Sequence, residues 1–341
     1  MEGQLLWVLV LQLLVIVFVA VSILFFMLKK LVGKSRVPTG SKTILVTAAD
    51  TQIGSQIATH LASLGFRVFA GVSDLNSKGS ARLKAFGSPW LHVLPLDVSN
   101  TESLSLAIKS VRDHFHAGEK GLWAVVHLAG TGVKTSYQKG GDDEHQLRTA
   151  LEVTVVGMLR LVRASLPHLS AAKGRFIILG ADDGMSLGLR VWGSGAIGIT
   201  HGVWTAARFA AEGLAAGLRA QLRPHGVPVV SLHPDAYYAQ RLNELPRPPI
   251  VYEVKTPVSG NDSTATLPSA DDAIFEFLSP YAMREVEEAI LTAAPEESYL
   301  LTPSTSSRIK SMMIAFSPSC VSNAVLKQHK FAQAEYVHTT V

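Results

Sequence analysis

The sequence predicts an α/β protein, a doubly wound parallel sheet forming a single domain, with one apolar helix ahead of it. Three observations point there. Short β-rich apolar runs alternate with longer stretches at helical spacing over residues 43–303, the rhythm of right-handed strand–helix–strand crossovers that cover both faces of a parallel sheet. Those runs lack polar alternation, as strands buried on both faces do. A long apolar segment lies before them, separated by a basic linker.

Element by element, Thr43–Thr47 (TILVT) reads as the first strand and Ile53–Leu64 as the first helix, closed by Gly65 in the C-cap region. Arg67–Val72 is the second strand, His92–Leu96 the third, Trp123–Leu128 the fourth and Arg175–Leu179 the fifth. Helices are expected at Thr101–His114, Glu144–Leu169 and, rich in alanine, Gly195–Leu222. Val227–Leu232 is the sixth strand, and Pro228 marks it as an edge or the beginning of a strand. Residues 243–272, rich in Pro, Ser, Thr and Asp, read as a loop over the carboxyl edge of the sheet. Asp271–Leu291 returns to helical spacing and Ser298–Thr302 is a last strand. Within the tail, 304–341, Arg308–Phe316 reads as a short amphipathic helix packed on the domain. No internal repeat is present.

The amino-terminal segment has its own physics. Leu5–Leu28 is interrupted only by Gln12 and Ser22, and at 1.5 Å per residue it matches the ~30 Å hydrocarbon core of a bilayer. A cleaved signal peptide is disfavoured: nothing basic precedes the run, and the small residues Ala20–Ser22 fall inside it. Glu2 lies before the run, whereas Lys29, Lys30, Lys34 and Arg36 follow it. The positive-inside bias therefore leaves residues 1–4 on the far side, 5–28 as a transmembrane anchor, 29–42 as a basic linker and 43–303 in the cytosol.

Composition excludes several classes. With 341 residues and 48% hydrophobic content the chain is not intrinsically disordered. The lone cysteine, Cys320, makes no internal disulfide. A net charge of +4 with scattered cations argues against nucleic acid. No metal is expected: His114 and His116 have no partner cysteine, and Asp142-Asp143-Glu144 reads as a solvated loop.

Several motifs carry a resemblance. The turn T-A-A-D-T-Q-I-G (Thr47–Gly54), then L-D-V (Leu96–Val98) and H-L-A-G (His127–Gly130), resemble the short-chain dehydrogenase/reductase family. Gly65–Val72, Gly121–Gly130 and Arg284–Pro295 are similar to segments of its membrane-anchored steroid and retinol dehydrogenases, the type 2 17β-hydroxysteroid enzyme and its 11β relatives in particular. The resemblance spans residues 42–316 and implies a Rossmann-like doubly wound parallel sheet, an endoplasmic reticulum membrane location and a nicotinamide cofactor, NAD or NADP. It also implies dimers through the helices at Glu144–Leu169 and Gly195–Leu222, where Ala206–Leu218 permits close approach.

The family's turn reads T-G-x-x-x-G-x-G; here the glycine positions hold Ala48, Gln52 and Gly54. Glycine serves there because a backbone without Cβ turns tightly and approaches the pyrophosphate. Gln52 either projects into that space or swings aside. The end of the second strand, where relatives carry a ribose-binding acid, holds Val72, with Asp74 two residues on. By resemblance the residues left to touch a dinucleotide are Thr47, Ile53, Gly54, Asp74, Asp97, Ala129 and Gly130. His127 and Leu128 stand where relatives have asparagines, and His127 reads as a core residue with one hydrogen bond.

The family's catalytic positions fall on Ala181 for serine, Ser194 for tyrosine, Gly198 for lysine and Thr154 for asparagine, so no catalytic residue is assigned. Without any alignment, no tyrosine occurs between Tyr137 and Tyr237. Relatives carry P-G after the sixth strand; this chain has Pro234-Asp235, followed by Tyr237 and Tyr238, read as loop aromatics packing on the domain. The expected function is a membrane-anchored pseudoenzyme without hydride transfer, binding a hydrophobic small molecule or a protein partner. The alternative is an active NAD(P)-dependent oxidoreductase of steroids, retinoids or related lipid alcohols.

Overall fold

Short apolar runs build the strands, and all of them pair in parallel. The computed structural model describes residues 2–32, 36–40, 42–115, 118–128, 143–180, 202–235, 238 and 277–309. Strands β1 (Thr43–Val46), β2 (Arg67–Val72), β3 (Leu91–Pro95), β4 (Leu122–His127), β5 (Arg175–Leu179), β6 (Val229–Pro234) and β7 (Ser298–Leu301) form one sheet in the order 3-2-1-4-5-6-7. β1 lies between β2 and β4, with Ile44 opposite both Val68 and Ala124. Chain direction diverges there, so the carboxyl ends of β1 and β4 open a crevice, where ligands of such sheets bind.

Residues on alternate sides of each strand feed two cores. Ile44, Val46, Val68 and Val126 pack under α2 (Gln52–Ser63), α3 (Lys78–Ala85) and α8 (Pro280–Leu291) through Ile57, Leu61, Leu83 and Val286. Leu45, Phe69, Val125 and Ile178 face α4 (Thr101–Asp113), α6 (Gly157–Ala172) and α7 (Gly202–Leu222) through Leu104, Met158, Leu161 and Ala215. These side chains are essentially removed from water, and burying each one contributes about 1.5–3 kcal/mol against its ordering entropy.

The expected elements hold, with edges moved by one or two residues and three differences. Helix α3 was not foreseen; Ser77 caps it by accepting the Ser80 N–H. The helix expected over 144–169 is α5 (Asp143–Leu151), a π-helical turn at Glu152–Val156, then α6. The run Val153-Thr154-Val155-Val156 is β-branched throughout, which disfavours regular α-helix. α8 begins at Pro280, where Ser279 caps by accepting the Ala282 N–H, later than the expected Asp271; residues 271–276 lie outside the described set. So do the loop 243–272, residues 195–201 and 310–316. Pro228 precedes β6 instead of sitting within it.

Residues Glu2–Val32 form one helix, α1. Its described apolar side chains stand exposed, Trp7 at 76% and Phe18 at 73%. Among the described residues no helix is long and apolar enough to cross a membrane. The longest stretch of α1 with described side chains is 10–22, shorter than the roughly 20 residues a span demands. The expected span over 5–28 therefore gains no support from the structure.

Candidate functional site

At the carboxyl end of β1 the chain turns through Ala48, which adopts φ 49°, a left-handed corner rare for a residue with Cβ. The corner is stitched from several sides. Ala49 N–H donates to Gly71 O (2.9 Å), and Thr51 N–H and Oγ1 both donate to Ala48 O, at 3.1 and 2.7 Å. Thr51 caps α2, its Oγ1 accepting from Gly54 N–H at 3.1 Å. Gly54 has no room for a side chain: a Cβ there would stand 2.2 Å from Ala48 O. Two of the three glycine positions thus keep the glycine geometry, one of them without glycine. Gln52, at the third, is the exposed first residue of α2, and Ile53 behind it is buried.

The ribose end is differently furnished. Val72 ends β2 in the core. Asp74 is exposed, its Oδ1 accepting the Asn76 N–H at 2.8 Å, a turn contact. An unforeseen acid stands closer to the turn: Asp50 Oδ2 accepts the Ser73 hydroxyl at 2.9 Å, tying the turn to the end of β2. Gly79 allows this, because a Cβ there would lie 2.0 Å from Asp50 O. Asp97 accepts from Ser99 N–H and Oγ at 2.8 and 2.6 Å, ordering the approach to α4. All three acids follow the carboxyl ends of β1, β2 and β3, at one edge of the sheet.

Across the crevice, Thr47 is buried and its Oγ1 accepts the Leu128 N–H at 3.0 Å, clamping β1 to β4. The same oxygen lies 3.4 Å from His127 Nδ1. His127 stacks beside Phe176, and among the described residues its buried Nε2 meets no atom in full hydrogen-bond geometry. Burial drops its pKa from 6.5 to about 4, opposed by the neighbouring Thr154 backbone, so the ring is neutral near pH 7. Thr154 sits buried in the π-helical turn, its hydroxyl donating to Ala150 O at 2.7 Å.

Tyr238 belongs to the core, as expected: it is buried, packs beside Phe277, and its hydroxyl accepts the Ser279 N–H at 2.9 Å. Asp235 is buried and caps this bend by accepting the Tyr238 N–H at 3.0 Å. Ala129, Gly130, Ala181, Ser194, Gly198 and Tyr237 lie outside the described residues. A further group escaped the sequence reading: Glu212 of α7 accepts from Ser231 Oγ (3.0 Å) and Arg219 (3.1 Å), with buried His233 Nε2 4.0 Å from its second oxygen. Gly180 makes room for it, since a Cβ there would lie 2.5 Å from Glu212 Oε2. The signal was polar Ser231 and His233 alternating within an apolar strand.

A family model described as short chain dehydrogenase matches residues 42–247. The chain belongs to that family. Among its relatives, the mitochondrial D-beta-hydroxybutyrate dehydrogenase of Bos taurus is 29% identical over 204 residues, 59% of this chain and 56% of its own length. Estradiol 17-beta-dehydrogenase 2 of Rattus norvegicus is 30% identical over 220 residues, 64% and 54% respectively. The chain spans about half the length of the curated relatives it matches. An NADPH-bound carbonyl reductase from chicken fatty liver superposes with a TM-score of 0.49 at 20% identity, over 62% of this chain and 93% of its own.

A dinucleotide bound to such a sheet needs a close backbone turn for its pyrophosphate and a hydrogen-bonding acid for its ribose. The turn at Ala48–Gly54 fits the first requirement. The end of β2 does not fit the second, since Val72 has no polar atom and Asp74 is held in its own turn. No chemical step is derived through a dinucleotide on these residues.

Proposed function

We propose that this is a membrane-anchored pseudoenzyme of the short chain dehydrogenase family, which keeps the frame of the dinucleotide turn and performs no hydride transfer. One observation carries the reading: residues 138–236 contain no tyrosine, so no Tyr-x-x-x-Lys pair precedes or enters α7. Dehydrogenase chemistry on this fold needs a phenol whose pKa, ordinarily ~10, is drawn toward neutrality by a cation one helical turn away. Ser194 is an aliphatic alcohol, and Gly198, four residues on, carries no charge. The burial of Tyr238 supports the same reading, because a phenol accepting the Ser279 N–H inside the core is not presented to a ligand.

The crevice then serves binding. Its ligand is a hydrophobic small molecule, such as the steroids named in relatives like estradiol 17-beta-dehydrogenase 2, or a protein partner. The anchor is α1: a helix apolar all round finds its solvent in a bilayer. The cations at 29, 30, 34 and 36 support a cytosolic side for the domain, and the resemblance to membrane-anchored steroid dehydrogenases supports the endoplasmic reticulum.

The test uses the full chain in detergent with NAD(H), NADP(H) and panels of steroid and retinoid alcohols. The expected result is no enzyme-dependent NADH or NADPH formation; steady formation overturns the proposal. The second reading, an active NAD(P)-dependent oxidoreductase, is favoured by one observation. Ala48 holds a left-handed corner at a cost, and such strain persists where a site requires it. Gln52→Gly decides how far it extends: nucleotide-dependent thermal stabilisation in the variant, absent in the parent, identifies that side chain as the block.

A further inference from the structure

We infer that the amino edge of the sheet is a membrane-facing surface, resting on an anionic lipid leaflet, so that the carboxyl-edge crevice opens away from the bilayer. The inference rests on the membrane-anchor reading of α1 and adds the orientation of the domain.

The tether sets the geometry. α1 ends at Val32, and Arg36 already pairs in an antiparallel bridge with Thr292, while Val37 N–H donates to Leu291 O at 2.8 Å. Four Cα steps reach at most ~14 Å. The end of the apolar helix is therefore held within that distance of the carboxyl end of α8. That end is built into the amino edge of the sheet. Arg175, the first residue of β5, donates through Nη1 to Ala289 O (3.1 Å) and Thr292 O (2.7 Å), and Trp123 Nε1 donates to Ile290 O (3.0 Å). β4 runs six residues from this edge to the crevice, ~20 Å at strand rise. A tether of ~14 Å pinned here brings this edge, not the opposite one, to the bilayer surface.

The surface chemistry agrees. Trp90 and Phe86, at the amino edge beside β3, are 43% and 45% exposed, and exposed Trp is characteristic of the headgroup layer. Arg36, Lys120, Lys173 and Arg223 are exposed along the same edge, Lys42 lies over the Trp123 ring, and Lys29, Lys30 and Lys34 join them in sequence. Of the acids nearby, Glu119 is turned toward buried Arg67, Asp113 pairs with Arg112, Glu297 stands 3.9 Å from Arg223 and Glu287 bonds His60; Glu288 and Glu296 stand near the end of α8 as well. Cations close to an anionic leaflet are drawn to its surface. The consequence is that a lipid ligand reaches the crevice from the aqueous side, by carrier or by leaving the bilayer.

The experiment reads depth in the full chain. In a Cys320→Ser background, single cysteines replacing Trp90 and Lys120 at the amino edge, and Asn76 at the carboxyl edge, carry an environment-sensitive fluorophore. The protein is reconstituted into phosphatidylcholine–phosphatidylserine vesicles with a headgroup nitroxide quencher. The expected result is several-fold stronger quenching at 90 and 120 than at 76; using two amino-edge sites guards against one variant misfolding. Equal quenching, or stronger quenching at 76, overturns the orientation while leaving the anchor. Failure of the chain to float with the vesicles overturns the anchor and the orientation together.

Discussion

Gly54→Ala sets two physical effects of opposite sign against each other. Gly54 lies in the first turn of α2, and by helix propensity alone alanine there should stabilise the protein by about 1 kcal/mol. The structure demands the reverse. The new Cβ would stand 2.2 Å from Ala48 O and 2.9 Å from both Ala49 Cα and Thr51 Oγ1. Roughly 1 Å of movement is needed to reach van der Waals separation. The atoms that must move are backbone, and they carry the Thr51 cap and both bonds into Ala48 O. Overpacking costs about 2–3 kcal/mol and a disturbed cap about 1, so after subtracting propensity the net loss is about 2–3 kcal/mol. For a domain of this size that lowers Tm by roughly 4–10 °C, read by thermal unfolding of the purified full chain. A variant as stable as the parent, or more so, would refute the tight turn and with it the retained dinucleotide frame.

Ala48→Gly relieves a left-handed cost of about 1–2 kcal/mol and restores about 0.4–1 kcal/mol of unfolded-chain entropy, so a stability change between zero and about +1.6 kcal/mol is expected by denaturant titration. His127 is buried neutral with its pKa depressed to about 4, so the unfolded chain binds the extra proton between pH 6.5 and 4. Its contribution is complete above pH 6.5 and is lost as pH falls toward 4, up to about 3 kcal/mol in all. His127→Asn should flatten that part of the stability–pH curve, and an unchanged curve contradicts the burial argument. Gln56 joins α2 to residue 278 by two bonds, donating to Leu278 O (2.8 Å) and accepting Leu278 N–H (2.7 Å). Gln56→Ala should cost about 1–3 kcal/mol and hasten proteolysis near 277–279, and equal cleavage rates would count against the clamp. If a dinucleotide binds the Gln52→Gly variant, NAD should shift its Tm more than NADP, because the negative charges of Asp50 and Asp74, which follow β1 and β2, repel an added 2′-phosphate through space even while held in their turns.

The alternation of Thr43–Val46, Arg67–Val72 and Arg175–Leu179 with helical stretches was legible because buried parallel strands leave continuous apolar runs that no other element explains. The clustered cations after Leu28 were legible for a similar reason, being a one-dimensional pattern. So was the missing tyrosine, since an absence over a hundred residues needs no coordinates. What sequence could not supply were relations between distant residues. Asp50 meets Ser73 because Gly79 vacates the space. Tyr238 is a core residue because Ser279 and Phe277 return beside it from forty residues away. Asp74 and Asp97 looked like ligands in the motif and are local turn acceptors in the fold.

The one-dimensional pattern of apolar and charged residues by itself determined the fold class, the candidate anchor and the absence of tyrosine from residues 138–236, because each depends on residue type and spacing along the chain. Only the tertiary structure decided which acids are held by local turn bonds, that Ala48 holds a glycine's corner, and which edge of the sheet Arg36 pairs with. Those depend on backbone dihedrals and on contacts between segments 256 residues apart, as for Arg36 with Thr292, and such contacts arise only when two cores close around one sheet.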